Sequence, residues 1–201
     1  MTRIKICGLS RPQDVACVNQ AKPDWCGFVV NFPKSRRSVT PDQLRSLRRE
    51  LDPSVVPVGV FVDQPVEVVT DLLNRGIISI AQLHGGEDED YTAALRAAAP
   101  GKEIWKAFQV RGPADLERAT AFPADRILLD SGQGTGRTFD WSLLRHFPRP
   151  YLLAGGLDPE NLPTAIRTLR PYGVDLSSGV ETDGLKDFTK IQAAVAAARE
   201  E

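Results

Sequence analysis

The chain has 201 residues, room for one large domain or two small ones. A formal net charge of -1 leaves no basic face for nucleic acid or an anionic membrane surface, and no apolar run approaches the roughly 20 residues of a bilayer span. Cys7, Cys17 and Cys26 form no C-x-x-C clip and cannot all pair with one another, and His84 and His146 stand far apart. Reduced thiols, a cytoplasmic setting and no metal site are therefore expected.

Short apolar runs rich in Val, Ile and Leu punctuate the chain from its start, where no apolar leader core precedes the first. They fall at residues 3–8, 25–30, 56–62, 79–85, 103–110, 126–131, 151–157 and 173–180. None alternates cleanly between apolar and polar, the pattern of strands covered on both faces. Helical spacing fills most gaps. Residues 41–51 gather Leu44, Leu47 and Leu51 on one side, and 65–75 gather Val68, Val69, Leu72 and Leu73. Residues 87–99 and 157–169 read the same way, the latter with Asp158 as N-cap and Pro159 in the first turn. An Ala-rich helix over 190–199 closes the chain, while 112–122 and 141–147 give weaker patterns. Eight strand–helix units with no linker between them predict an α/β chain folded as a single (β/α)₈ TIM barrel, one catalytic domain over residues 1–201. A doubly wound open sheet is the alternative. It usually has fewer strands and a glycine fingerprint after the first, which Gly8 alone does not make.

In such barrels the C-terminal strand ends line the functional mouth. The first strand ends at Cys7 and the sixth at Asp130, a carboxylate after two leucines that is costly to bury without a task. The run Gly132–Thr138 lacks the first glycine and the lysine of a phosphate-binding P-loop, and reads as a mobile loop beside the acid. The seventh strand ends in Gly155-Gly156, and the eighth in Asp175 followed by Ser177-Ser178-Gly179. Small residues at those two positions let backbone N–H groups reach an anion, so a monophosphorylated substrate is expected. After the second strand, Arg36 and Arg37 offer a fork for a carboxylate. On the fourth, Gln82 and His84 either polarise a substrate or bond between strands. Lys5 shares a strand side with Cys7, and either lowers the thiol pKa or pairs with a neighbouring carboxylate. The remaining cysteines, His146 and the three tryptophans read as packing or surface.

The segments KICGL, GFVV, PKSRRSV, VGVFVDQP, QLHGGE, LLDS, GTGRTFDW, LLAGGLDPENL and VDLSSGVE, in this order, resemble phosphoribosylanthranilate isomerase of tryptophan biosynthesis. The resemblance implies a (β/α)₈ barrel that converts an aminoaldose to an aminoketose without metal or cofactor. It implies Cys7 as general base, Asp130 as general acid and Arg37 as anchor of the anthranilate carboxylate, with the Arg36-Arg37 pair leaving the choice of fork to geometry. Gly155, Gly156, Ser178, Gly179, His84 and Asp175 complete the expected substrate contacts, Asp175 toward the amine or hydroxyls. The expected partner is a small phosphosugar, with no nucleic acid and no membrane, for a monomer or homodimer. Two rivals are a histidine-pathway isomerase acting on a doubly phosphorylated substrate and a non-catalytic phosphate-binding barrel. The first expects a duplicated half-barrel. This chain shows no internal repeat, and its acidic loops at 63–65 and 85–89 suit a second phosphate poorly.

Overall fold

Strands that are apolar on both faces must be covered on both, and the chain meets that demand by closing them into a ring. The computed structural model describes residues 1–130 and 141–200. The eight barrel strands are β1 (Arg3–Cys7), β2 (Trp25–Val30), β4 (Val56–Phe61), β5 (Ile80–Leu83), β6 (Glu103–Gln109), β7 (Arg126–Asp130), β8 (Tyr151–Ala154) and β9 (Gly173–Leu176). All pair in parallel, each with the next, and β1 pairs with both β9 and β2 to close the barrel. A two-residue strand, β3 (Ser38–Val39), adds to the end of β2, and an antiparallel hairpin of β10 (Glu181–Thr182) and β11 (Leu185–Lys186) follows β9.

The register explains the missing alternation. Lys5, Trp25, Val58, Ile80, Trp105, Leu128 and Leu152 turn into the barrel, and their apolar members form one small core with Ala107 and Ala154. The intervening residues, such as Ile4, Phe28, Leu83, Ile104, Leu129 and Val174, join the larger core beneath the helices. Both strand faces are dry, so neither needs polar residues.

The helical shell comprises α1 (Pro12–Ala21), α2 (Pro41–Glu50), α3 (Val66–Asn74), α4 (Glu89–Ala98), α5 (Pro113–Ala121), α6 (Leu162–Leu169) and α7 (Phe188–Glu200). Two sequence expectations shift. The weak pattern at 112–122 is a full helix, started by Pro113 and burying Ala119. The segment expected to be helical from 157 starts its helix only at Leu162, because Asp158 spends its side chain on a tight turn, accepting from the N–H groups of Glu160 and Asn161 at 2.9 Å. The stretch after 141 is only a 3-10 turn, Trp141–Leu144. Among the described residues no helix is long and apolar enough to cross a membrane.

Candidate active site

The C-terminal strand ends surround a cavity of about 570 Å³, well sized for a small ligand. Cys7, Gln82, His84, Asp130, Gly155, Gly156, Asp175, Ser178 and Gly179 all line it. Around the ring, β8 and β9 bring the small-residue loops, β1 between β9 and β2 brings Cys7, and β2 and β4 bring an apolar wall of Val29, Phe32, Val60 and Val62. Asp130 on β7 stands three strands from Cys7 in this ring of eight, across the mouth from it. The cavity therefore has a small polar end, an apolar end, and a thiol and a carboxyl between them.

Beneath the cavity floor lies a buried charge pair. Lys5 is 0% exposed, and its Nζ donates to both carboxylate oxygens of Asp175 at 3.0 Å. The register sets Lys5 beside Asp175 across the β1–β9 seam. Lys5 and Cys7 also converge over the bare backbone of Gly27, which makes the space for this meeting. A Cβ at Gly27 would lie 2.7 Å from Cys7 Sγ and 3.0 Å from Lys5 Nζ. Burial pushes the Cys7 thiol up, Lys5 opposes it and Asp175 adds to it. Burial works against the Lys5 charge too, but Asp175 and Cys7 outweigh it and hold the ammonium above its ordinary range.

Opposite, Gln82 Nε2 meets His84 Nδ1 at 3.2 Å, and His84 Nε2 lies 4.0 Å from Asp130 Oδ2. Desolvation lowers the His84 pKa against the pull of Asp130 and Asp175, which keeps the ring neutral near pH 7. With the Gln82 amide donating to Nδ1, the ring proton sits on Nε2, the atom directed at Asp130. His84 thus lines the cavity, where its sequence position leaned toward a purely structural bond between strands.

The two arginines separate clearly. Arg36 is 60% exposed at its side chain and reaches the β10–β11 hairpin, where it packs on Gly184 and donates to Glu181 at 2.6 Å. Arg37 is 22% exposed, and its arm lies over Gly8 in the turn that follows Cys7. Its guanidinium grips Glu181 with two bonds, Nε to Oε1 at 2.6 Å and Nη2 to Oε2 at 2.7 Å, and neither arginine is among the residues that line the cavity. Lys186, itself buried, completes the cluster with a 2.7 Å bond to Oε1 and another to the carbonyl of Ser177. Burial raises the Glu181 carboxyl, but the bonds from Arg37 and Lys186 prevail and bring it down to about 2. Glu181 and Lys186 escaped sequence reasoning, since nothing local ties them to a basic loop 144 residues earlier. The glycine-rich run 132–138 expected beside Asp130 lies outside the described residues.

Residues 4–197 match the family model described as N-(5'phosphoribosyl)anthranilate (PRA) isomerase. The chain belongs to this family. The N-(5'-phosphoribosyl)anthranilate isomerase of Endomicrobium trichonymphae is 43% identical over 196 residues, 95% of each chain. Among solved structures, phosphoribosyl anthranilate isomerase from Thermotoga maritima superposes with a TM-score of 0.88 at 37% identity, covering 100% of both chains. An isomerase of the same family in complex with reduced 1-(o-carboxyphenylamino)-1-deoxyribulose 5-phosphate superposes with a TM-score of 0.86 at 36% identity, again over 100% of both chains. The barrel expected from the strand count is thus the fold of the isomerase family.

Proposed function

We propose that the protein isomerises N-(5-phosphoribosyl)anthranilate to 1-(2-carboxyphenylamino)-1-deoxyribulose 5-phosphate, an Amadori-type aldose–ketose step of tryptophan biosynthesis. The observation that carries this reading is the ordering of the mouth: small loops, thiol, apolar wall and opposing carboxyl in one cavity. A substrate with phosphate at one end and an aromatic acid at the other fits that order. The backbone around Gly155, Gly156, Ser178 and Gly179 takes the phosphate. Val29, Phe32, Val60 and Val62 take the aromatic ring, and Arg37, next to the Cys7 turn, answers its carboxylate.

The chemistry needs one acid and one base. Asp130 gives a proton to the furanose ring oxygen, the C1–O bond breaks, and the nitrogen lone pair closes an iminium ion. That cation acidifies the C2 proton, which the Cys7 thiolate removes to leave an enolamine. Protonation at C1 and loss of the enol proton give the ketone. Hydrogen moves only within the substrate and to these groups, so the electrons balance without an external oxidant. His84, directed at Asp130, and Asp175, beneath the sugar, orient the acid and the hydroxyls. The barrel acts on this small phosphosugar as one unit over residues 1–201, as monomer or homodimer.

Family membership over residues 4–197 favours this substrate over the histidine-pathway alternative and over a binding protein without turnover. Loss of phosphoribosylanthranilate fluorescence on adding purified protein tests the reading. Rapid decay is expected, and an unchanged signal with folded protein would overturn it. The doubly phosphorylated histidine-pathway substrate, assayed in parallel, is expected to turn over far more slowly.

A further inference from the structure

One cation inside the barrel serves two acids. Lys5 Nζ holds both oxygens of Asp175 at 3.0 Å, and it meets the Cys7 sulfur over the bare backbone of Gly27, where a Cβ would lie 3.0 Å from Nζ and 2.7 Å from Sγ. Asp175 and Cys7 can each carry a negative charge. One anion neutralises the ammonium, whereas two would leave a net negative charge in a desolvated interior that strongly disfavours it. We propose that Lys5 holds a single negative charge that Cys7 and Asp175 share, so that Lys5 promotes the thiolate and Asp175 restrains it. The proposal rests on the reading of Cys7 as the base and specifies how the base is made.

In the resting site the charge sits on Asp175 and the sulfur keeps its proton. The thiolate forms as that proton passes to the Asp175 carboxylate. The Sγ–H bond breaks, an Oδ–H bond forms, and Lys5 remains an ammonium beside both partners. The trio is neutral before and after, so the step adds no net charge to the barrel interior. Loss of the same proton to bulk water would leave two anions on one cation. Lys5 is on this account a positioning residue that acts through Cys7.

The other groups facing the trio are in place in every variant needed to test it. Lys186 from the hairpin and Arg37 from the loop before β3 bear on Cys7, Cys26 on the neighbouring strand points away into the outer core, and His84 and Asp130 face Asp175 across the cavity. Lys186 and Arg37 are both tied to Glu181, which none of the substitutions touches.

The test is the rate of Cys7 alkylation by iodoacetamide between pH 6 and 10. It is run without substrate in a Cys17→Ala background, with the adduct located by mass spectrometry. A tenfold change in thiolate fraction corresponds to about one unit of thiol pKa. At pH 7.5, Lys5→Met is expected to slow alkylation at least tenfold, and Asp175→Asn to speed it at least tenfold. A pair that merely holds the floor together would, when broken from either end, expose the sulfur and move both rates upward. Equal directions, or no change in either variant, would overturn the proposal. If Lys5→Met does not fold, the uncharged double variant Lys5→Met with Asp175→Asn is compared with Asp175→Asn alone. Slower alkylation in the double variant supports charge sharing, and an equal or faster rate refutes it. Because no substrate is present, failure of the isomerase reading would show separately, as absent turnover by the parent protein.

Discussion

A thiol at the end of a buried strand is ordinarily a small apolar filler. Cys7 is placed differently, because its side is the inward one, shared with Lys5, and its strand ends at an open mouth rather than under a helix. Cys26, one strand over, shows the contrast. It faces the helical shell, lies in the larger core, and burial pushes its thiol far above the ordinary range. Replacing Cys7 by Ala is expected to lower kcat by on the order of 10²-fold or more, since proton transfer by a placed base is worth about that much. The melting temperature should stay near that of the parent, because the sulfur sits at a cavity edge. Steady-state kinetics with a parallel thermal melt checks both, and near-parental turnover would dismiss the base. The placement of Cys7 and Asp130 at the cavity was legible from strand ends alone. The Lys5–Asp175 pair was legible only in part, since a closed ring makes the first and last strands neighbours but leaves their register open.

At the scale of elements, the hairpin and the loop after β2 are locked by one carboxylate. Glu181 has a side chain 4% exposed and accepts from Arg36, Arg37 and Lys186. Its folded-state carboxyl, at about 2, lies below the ordinary 4.5. The unfolded chain therefore binds the extra proton first as pH falls. The stabilisation is fully present above about pH 4.5 and drains away toward pH 2, by on the order of 3 kcal/mol. Glu181→Gln should lower stability at pH 7, because buried Lys186 loses its counter-charge, and should flatten the decline between pH 5 and 2. Denaturant titrations of both proteins across that range decide it, and parallel curves would remove Glu181 from the account. The two anion loops depend on a closer approach still. A Cβ on Gly179 would collide with the main-chain oxygen of Leu157, so the loop after β9 packs against the one after β8 only with glycine there. Gly179→Ala is expected to raise KM at least tenfold by separating the two halves of the phosphate cradle, with a smaller effect on kcat. An unchanged KM would move the phosphate elsewhere. The glycines announced the close meeting of those two loops in the sequence. The arginine partner was hidden, since Glu181 reaches Arg37 through the fold and no period or motif links them.

For the molecule as a whole, the two ends of the barrel divide the work. The upper interior buries Lys5 and Gln82, with Asp175 partly covered, and the mouth above them holds His84 and Asp130, polar groups that an apolar core alone would not need. The lower interior is sealed by Trp25 and Trp105 packed edge to face at 5.1 Å, with Arg3 and Arg126 stacked on Tyr172 at 5.3 and 4.2 Å. Trp105 is fully buried, and its Nε1 donates to Glu103 at 2.8 Å, so its one polar atom is satisfied while the ring fills the floor. Lengthwise separation of this kind lets loops at the top vary in chemistry while the bottom supplies stability. Trp105→Ala should therefore cost about 3–5 kcal/mol of folding free energy through the cavity it leaves. The kcat of the molecules that remain folded should stay near the parental value, because the floor lies below the groups that move protons. Chemical denaturation paired with activity per folded molecule measures the two quantities separately. A large fall in kcat without loss of stability would mean that the floor and the mouth are coupled through the barrel interior. The Lys5–Asp175 pair, which lies between them, would then be the first place to look for the coupling.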